Sequence, residues 1–144
     1  MKINITIENN DGELVFSKIV ETEERSVDEF SPYARFFNES CPGWLNDSEC
    51  NLMFLKSQQQ YANELLRSRG HLFLNEVYDL LGLPRTKAGQ VVGWIYDPVN
   101  PVGDNYIDFD VYTDRNEEFI NGYAKSALLD FNVDGNILDK IVED

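Results

Sequence analysis

The sequence predicts an α+β fold in which two helices pack on a small, mainly antiparallel sheet. Apolar residues recur at helical spacing in residues 48–69 and 75–82, whereas residues 106–112 alternate strictly between apolar and polar. The chain has 144 residues, of which 42% are hydrophobic, enough for one core. We therefore expect a single domain over residues 1–144.

The N-terminal part is predicted to begin with a strand or hairpin. Residues 3–7 alternate between isoleucine and polar side chains, which is the period of a half-buried strand and lacks the apolar run of a signal peptide. A turn signal at residues 10–12 precedes a second apolar run at residues 14–20. Ser26 and Glu29 have the spacing of a capping box and indicate the start of a short helix.

Two amphipathic helices are predicted in the middle of the chain. Ser48 is expected to cap a helix that runs to about Arg69, with Gln58, Gln59 and Gln60 on its water-facing side. Asn75 is expected to cap a second, shorter helix that ends at Gly82. The residues expected to face the sheet are Leu65, Leu66, Val77, Leu80 and Leu81.

The C-terminal part is predicted to form a three-stranded antiparallel meander. Its strands would be the buried run at residues 91–96, the alternating residues 106–112 and residues 127–133. Asp108 and Asp110 would lie on the solvent face of the middle strand. The expected core residues of the sheet are Trp94, Ile95, Ile107, Phe109, Val111, Leu129 and Phe131.

Negative charge is the strongest compositional signal: 26 acidic residues stand against 12 basic residues, a net charge of −14. Residues 1–50 carry 11 acids and 4 bases, residues 51–90 carry 3 acids and 5 bases, and residues 91–144 carry 12 acids and 3 bases. Such a chain repels nucleic acid and anionic membranes and attracts basic surfaces. Because no apolar run approaches the roughly 20 residues of a membrane span, we expect a cytoplasmic protein.

Residues that could carry catalysis or bind zinc are scarce. The chain has two cysteines, Cys41 and Cys50, and one histidine, His71, whereas a structural zinc site needs about four ligands. A disulfide between the cysteines is sterically conceivable, but we interpret both as thiols. The sequence contains no phosphate-binding loop, nucleophile elbow or metalloprotease helix. It nominates no catalytic or cofactor-binding residue and favours a non-enzymatic protein.

Residues 130–137 contain the sharpest local motif. Asp130, Asn132 and Asp134 have the spacing of the first ligands of a calcium-binding loop, and a glycine follows Asp134 as that loop requires. The position of the closing carboxylate is occupied by Ile141. The motif therefore leaves two interpretations open, a calcium or other divalent-metal site and an Asp-Gly turn whose side chains cap their own backbone.

A second motif has the size of a DNA-binding helix-turn-helix and covers residues 72–90. Pro84, the strand-like run after residue 90 and the acidic flanks argue against it. The alternative is a pair of helices that packs on the sheet. In the DNA-binding interpretation, the reading residues are Arg85, Lys87 and Gln90, with Arg67 and Arg69 on phosphates.

Several segments between residues 71 and 138 resemble an uncharacterised family, a domain of unknown function found in phages, prophages and mobile elements of Gram-positive bacteria. The acidic first 50 residues lie outside this resemblance. It implies a phage or mobile-element context and supplies no catalytic residues. The segments that carry it are residues 71–82, 86–96, 103–105, 121–123 and 128–137.

Charge and resemblance together predict a non-enzymatic, acidic protein-binding module. Its partner would be a basic protein surface, such as a host nucleic-acid-binding protein, and direct binding of nucleic acid or membrane is not expected. One version is a host-takeover or anti-defence inhibitor whose carboxylates imitate a phosphate backbone. The alternatives are a calcium- or metal-dependent module or enzyme that uses residues 130–137, and a helix-turn-helix-like regulator.

Overall fold

The computed structural model describes residues 31–141. Almost all of them belong to one compact unit, Tyr33–Asp144. The predicted N-terminal strand or hairpin and the helix start at Ser26 lie outside the described residues. The single domain over residues 1–144 stays a prediction.

The α+β class is confirmed. The described residues contain four α-helices and two small antiparallel sheets. The helices are α1 (Ser48–Arg69), α2 (Leu74–Leu81), α3 (Glu117–Ile120) and α4 (Leu138–Ile141), with short 3-10 helices at Ala88–Gln90 and Asp114–Asn116. The strands are β1 (Arg35–Asn38), β2 (His71–Phe73), β3 (Val92–Ile95), β4 (Ser126–Leu129) and β5 (Gly135–Asn136).

The helix α1 begins at Ser48, and its cap is Asp47, one residue before the predicted cap. The carboxylate of Asp47 accepts hydrogen bonds from the backbone N–H groups of Glu49 and Cys50, which would otherwise lack partners at the helix start. The helix ends at Gly70, whose φ of 87° allows its N–H to bond back to Leu66. The buried face of α1 consists of Asn51, Leu55, Ala62 and Leu66.

The predicted role of Asn75 as a helix cap is wrong, because Asn75 lies inside the first turn of α2. Its buried side chain instead bonds both backbone groups of Thr86, which fixes the turn that follows the helix. At the helix start, the carboxylate of Glu76 accepts the N–H of Phe73 at 3.1 Å. The predicted end at Gly82 is correct, with a φ of 75°.

The strands connect differently from the predicted meander. In one sheet β3 lies between β2 and β5, and in the other β4 pairs with β1, a strand that the sequence did not indicate. Residues 106–112 alternate in burial as predicted, but they belong to neither sheet. Gly93 permits the close pairing of β2 and β3, because a Cβ atom there would collide with the carbonyl of Leu72.

The core contains most of the residues that the sequence assigned to it. Of the twelve, Ile95, Leu65 and Leu80 are half-buried and the others are buried. Phe131 makes edge-on contacts with Phe109, at 5.4 Å between ring centroids, and with Tyr78, at 5.7 Å. The residues buried in addition to the expected ones include Phe37, Leu55, Leu72, Leu74, Tyr78 and Phe119.

Tyr78 joins this core to the chain segment before β1. Its hydroxyl donates a 2.7 Å hydrogen bond to the carbonyl of Tyr33, and the guanidinium of Arg35 lies 5.4 Å from its ring centroid. Burial raises the pKa of Tyr78 from 10.0 to about 12, although the charge of Arg35 opposes this shift. The neutral phenol is therefore part of the folded structure.

Replacing Tyr78 by phenylalanine tests two contributions to stability, that of its hydrogen bond and that of its raised pKa. We expect Tyr78→Phe to lower the free energy of unfolding at neutral pH by about 1–2 kcal/mol, since the hydrogen bond to the carbonyl of Tyr33 is lost. Because the folded pKa is raised, the contribution of the neutral Tyr78 is complete below the unfolded pKa and is lost as pH rises towards 12. Urea unfolding of both proteins should show the gap between them narrowing above about pH 10. A gap that stays constant into the alkaline range would contradict this account.

Candidate functional site

The candidate site is a set of five carboxylates on two neighbouring segments, which we call the acidic loop surface. One segment, residues 97–108, follows β3, and the other, residues 130–134, joins β4 to β5. Backbone and side-chain hydrogen bonds between the segments place them side by side. The five carboxylates are those of Asp97, Asp104, Asp108, Asp130 and Asp134, of which Asp104 is exposed and the others are half-buried.

Asn132 is the central polar residue of the acidic loop surface. Its amide oxygen accepts the indole N–H of Trp94 at 2.9 Å and the backbone N–H of Asp108 at 2.8 Å. Its amide nitrogen donates to the carboxylate of Asp104 and to the carbonyl of Tyr106, both at 3.0 Å. The side chain thus makes all four hydrogen bonds that an amide can make, and it joins the core tryptophan to the surface.

Asp134 holds the loop after β3 against the sheet. Its carboxylate accepts the backbone N–H of Ile95 at 2.8 Å and also the N–H of Asp104. Burial raises the pKa of Asp134, and the nearby charge of Asp104 raises it further, while the two N–H donors oppose the shift. Gly103 lies so close to this carboxylate that a Cβ atom at residue 103 would collide with it.

Residues 97–105 form a loop whose two ends are bonded together, and we call it the closed loop. The amide oxygen of Asn105 accepts the N–H of Asp97 at 2.8 Å, and the amide nitrogen donates to the carbonyl of Asp97 at 3.3 Å. The carboxylate of Asp97 accepts the N–H groups of Val99 and Asn100, at 3.2 and 3.0 Å. Polar side chains therefore fix both the ends and the first turn of the loop.

Residues 106–111, the amide-held segment, run beside α1. Asn63 of α1 bonds both backbone groups of Ile107, at 2.8 and 2.9 Å. One helical turn earlier, the amide oxygen of Gln59 accepts the N–H of Phe109 at 2.8 Å. The assignment of Gln59 to the water-facing side of α1 is therefore wrong, and the alternating pattern gave no signal of these bonds.

Asn116 performs the same task at the end of the segment. Its amide nitrogen donates to the carbonyls of Val111, at 3.1 Å, and Leu128, at 3.0 Å, while its oxygen accepts the N–H of Leu128 at 2.9 Å. Since Leu128 belongs to β4, Asn116 also supplies hydrogen bonds along that strand. Asn116 is 2% exposed, which is unusual for asparagine and agrees with a structural role.

The three predicted metal ligands make different hydrogen bonds in the structure. Asn132 and Asp134 belong to one hydrogen-bond network, whereas the backbone of Asp130 pairs with the carbonyl of Phe109. Within residues 31–141, no group of three or more His, Cys, Asp or Glu side chains is placed to hold a metal ion. The amide oxygen of Asn132, which calcium would require, already accepts two hydrogen bonds. Calcium binding stays a prediction.

The proposed helix-turn-helix region has a different local structure. After α2, the chain forms a turn, the 3-10 helix Ala88–Gln90 and then β3, so a recognition helix does not follow α2 in the described chain. Arg69 pairs with Glu76, and Arg85 pairs with Asp79, whose pKa the Arg85 guanidinium lowers. Lys87 and Arg67 are exposed. The DNA-binding alternative stays a prediction.

The cysteines and the histidine occupy ordinary structural positions. Cys41 is a buried thiol whose pKa burial raises, and Cys50 is an exposed thiol. His71 is half-buried in β2, with its ring at 5.6 Å from the ring of Phe73 in an edge-on arrangement. The two thiols are not joined to each other.

The fold and the surface define an α+β domain with an ordered group of carboxylates. The chain belongs to a family of unknown function (DUF6353), whose family model matches residues 3–141. This match covers the N-terminal part as well as residues 71–138, from which the resemblance was drawn. Searches of curated proteins and of solved structures found no match. None of the helices within residues 31–141 combines the length and apolar character that a membrane span requires.

The central role of Asn132 is directly testable. We expect Asn132→Ala to lower the free energy of unfolding by about 2–4 kcal/mol, because it leaves the indole N–H of Trp94 and two backbone groups without partners. The exposed Asn121 provides a matched control, for which substitution by alanine should change stability by less than about 0.5 kcal/mol. Chemical denaturation measures both. Equal effects of the two substitutions would show that the amide network contributes little.

Calcium addition tests the motif at residues 130–137. Because the Asn132 oxygen is committed to two donors, we expect calcium to leave the melting temperature unchanged. The matched control is magnesium at the same ionic strength, which corrects for screening of the acidic surface. A calcium-specific rise in melting temperature that Asp134→Asn abolishes would instead establish the metal site.

Proposed function

We propose that this chain is a non-enzymatic protein-binding module whose acidic loop surface binds a basic protein. In the finer form of the proposal, the protein is encoded by a phage or mobile element and acts in the bacterial cytoplasm. There it occupies the nucleic-acid site of a host protein, with carboxylates in the place of phosphates. The observation that carries the proposal is the uneven charge of the described chain.

The charge imbalance is largest in the part of the chain that forms the acidic loop surface. Residues 91–141 contain ten acids and three bases. One of these bases, Arg115, pairs with Asp110 at 2.8 Å, which leaves few cations to offset the remaining acids. A surface of one sign raises the rate of encounter with oppositely charged partners and rejects partners of the same sign.

Outside the acidic loop surface, further acids of this part of the chain are open to solvent. Asp114, Glu117 and Glu118 are exposed around the start of α3, and Asp139 is exposed in α4. By contrast, two of the three acids in residues 51–90, Glu76 and Asp79, form ion pairs with arginine. In the described residues, most acids of residues 51–90 are therefore paired with arginine, whereas residues 91–141 carry an excess of acids exposed to solvent.

Hydrogen bonds to backbone N–H groups support the proposal in a second way. Asp97, Asp108 and Asp134 each accept at least one such bond, so their side chains are ordered before any partner arrives. Ordering a side chain on binding costs free energy, and a preordered carboxylate avoids that cost. Ordered carboxylates are what a mimic of a phosphate backbone requires.

A pull-down with charge variants tests this function. The test variant is Asp97→Asn, Asp104→Asn and Asp108→Asn combined, which removes three charges of the acidic loop surface and keeps side-chain oxygens that accept hydrogen bonds. The control is Glu39→Gln, Glu49→Gln and Glu64→Gln combined, which removes the same charge from exposed positions outside that surface. We expect the native chain to retain a nucleic-acid-binding protein from a bacterial lysate at low salt. High salt and added DNA should both release it.

The two variants should behave differently in this assay. We expect recovery of the retained protein to fall about tenfold with the test variant, since that corresponds to a loss of about 1.4 kcal/mol of electrostatic attraction. The control variant should retain nearly as much as the native chain. Equal recovery by both variants, or a bound protein that DNA does not displace, would count against the mimic.

A further inference from the structure

The closed loop, residues 97–105, exposes apolar side chains among the carboxylates. Val99 is 81% exposed and Val102 is 40% exposed, and Tyr106, just after the loop, is 50% exposed. Single exposed apolar residues are common, but a cluster of them in one short segment often marks an interaction site. The burial of these valines would be favourable, because each buried methylene group contributes about 0.8 kcal/mol.

The closed loop is held in one conformation despite its exposure. Asn105 bonds both backbone groups of Asp97 and so joins the loop ends, and Gly103 packs directly against the carboxylate of Asp134. Pro98 directly precedes Val99 and Pro101 directly precedes Val102, and both prolines restrict the backbone further. Compact loops with joined ends are frequently functional, and a preordered loop loses less entropy on binding.

The charges beside the valines define the chemistry of a partner. Asp97 and Asp104 lie within the closed loop, and Asp134 accepts the backbone N–H of Asp104. The loop itself contains no lysine or arginine. A complementary surface would therefore present lysine or arginine around exposed apolar side chains.

We propose that the closed loop is the docking element of the acidic loop surface, and that it binds a basic protein surface with apolar side chains between its cations. This inference rests on the proposed function and adds to it a specific contact, in which Val99 and Val102 become buried and the adjacent carboxylates face cations. The valines supply affinity that salt does not screen, while the carboxylates supply the salt-dependent part.

The experiment uses two defined cationic probes of equal charge. One is poly-L-lysine, which offers charge alone, and the other is a peptide of alternating lysine and leucine, which offers charge with apolar side chains. The test variant is Val99→Ser with Val102→Ser. The control is Met53→Ser, which removes an apolar side chain that is 68% exposed on α1. Circular dichroism and thermal melting establish that both variants retain the fold, and calorimetry measures binding.

We expect the native chain to bind both probes at low salt and to bind the lysine–leucine peptide more tightly at high salt. The valine variant should bind this peptide about tenfold more weakly, with unchanged affinity for poly-L-lysine, since the lost burial is worth about that factor. Met53→Ser should behave as the native chain does. If the valine variant binds the peptide as tightly as the native chain does, the docking element is wrong and the proposed function stands. If the native chain binds neither probe, the proposed function itself fails.

Discussion

Backbone polar groups that are removed from water require hydrogen-bond partners, and this constraint determines how residues 106–111 are built into the protein. Their alternating apolar side chains enter the core, yet the segment belongs to neither sheet. Side-chain amides of Gln59, Asn63, Asn116 and Asn132 supply most of the hydrogen bonds. The backbone N–H groups of residues 130 and 132 bond two further carbonyls of the segment. Two of these amides belong to α1, one precedes β4 in the chain and one follows it. The segment therefore connects α1 with the chain around β4, which no strand pairing joins to it.

The acidic side chains also supply hydrogen bonds to backbone groups. Asp97, Asp108 and Asp134 accept backbone N–H groups, and in doing so they shape the loops that carry them. Each therefore contributes both to the local fold and to the negative potential of the surface. The raised pKa of Asp134 shows the conflict between these two roles, since burial and the neighbouring Asp104 both disfavour its charge. Exposed acids such as Glu117 and Glu118 carry charge without this structural task.

Periodicity in the sequence was sufficient for the α+β class, for α1 and α2, for β3 and for most of the core, because those features follow from local patterns of apolar residues. It could not give the strand partners. An alternating segment has the same pattern whether a strand or a set of amides bonds its backbone, so the pattern of residues 106–112 predicts a strand that the structure does not contain. The closed loop could not be predicted from the sequence either, because the bonds of Asn105 to Asp97 produce no periodic pattern of residues. The acidic character of the surface, by contrast, was visible in composition.

The partners of the amide-held segment are remote in sequence, and this has a consequence for the order of folding. Ile107 bonds Asn63 across 44 residues and Phe109 bonds Gln59 across 50 residues. Neither bond can form until α1 presents its two amides one turn apart, and α1 is a local structure that forms rapidly. Because closing so long a stretch of chain costs entropy before the bond rewards it, we expect the segment to dock only after the helix has formed. We therefore expect the closed loop and the carboxylates beside it to acquire their native arrangement together with this segment and not with the helix.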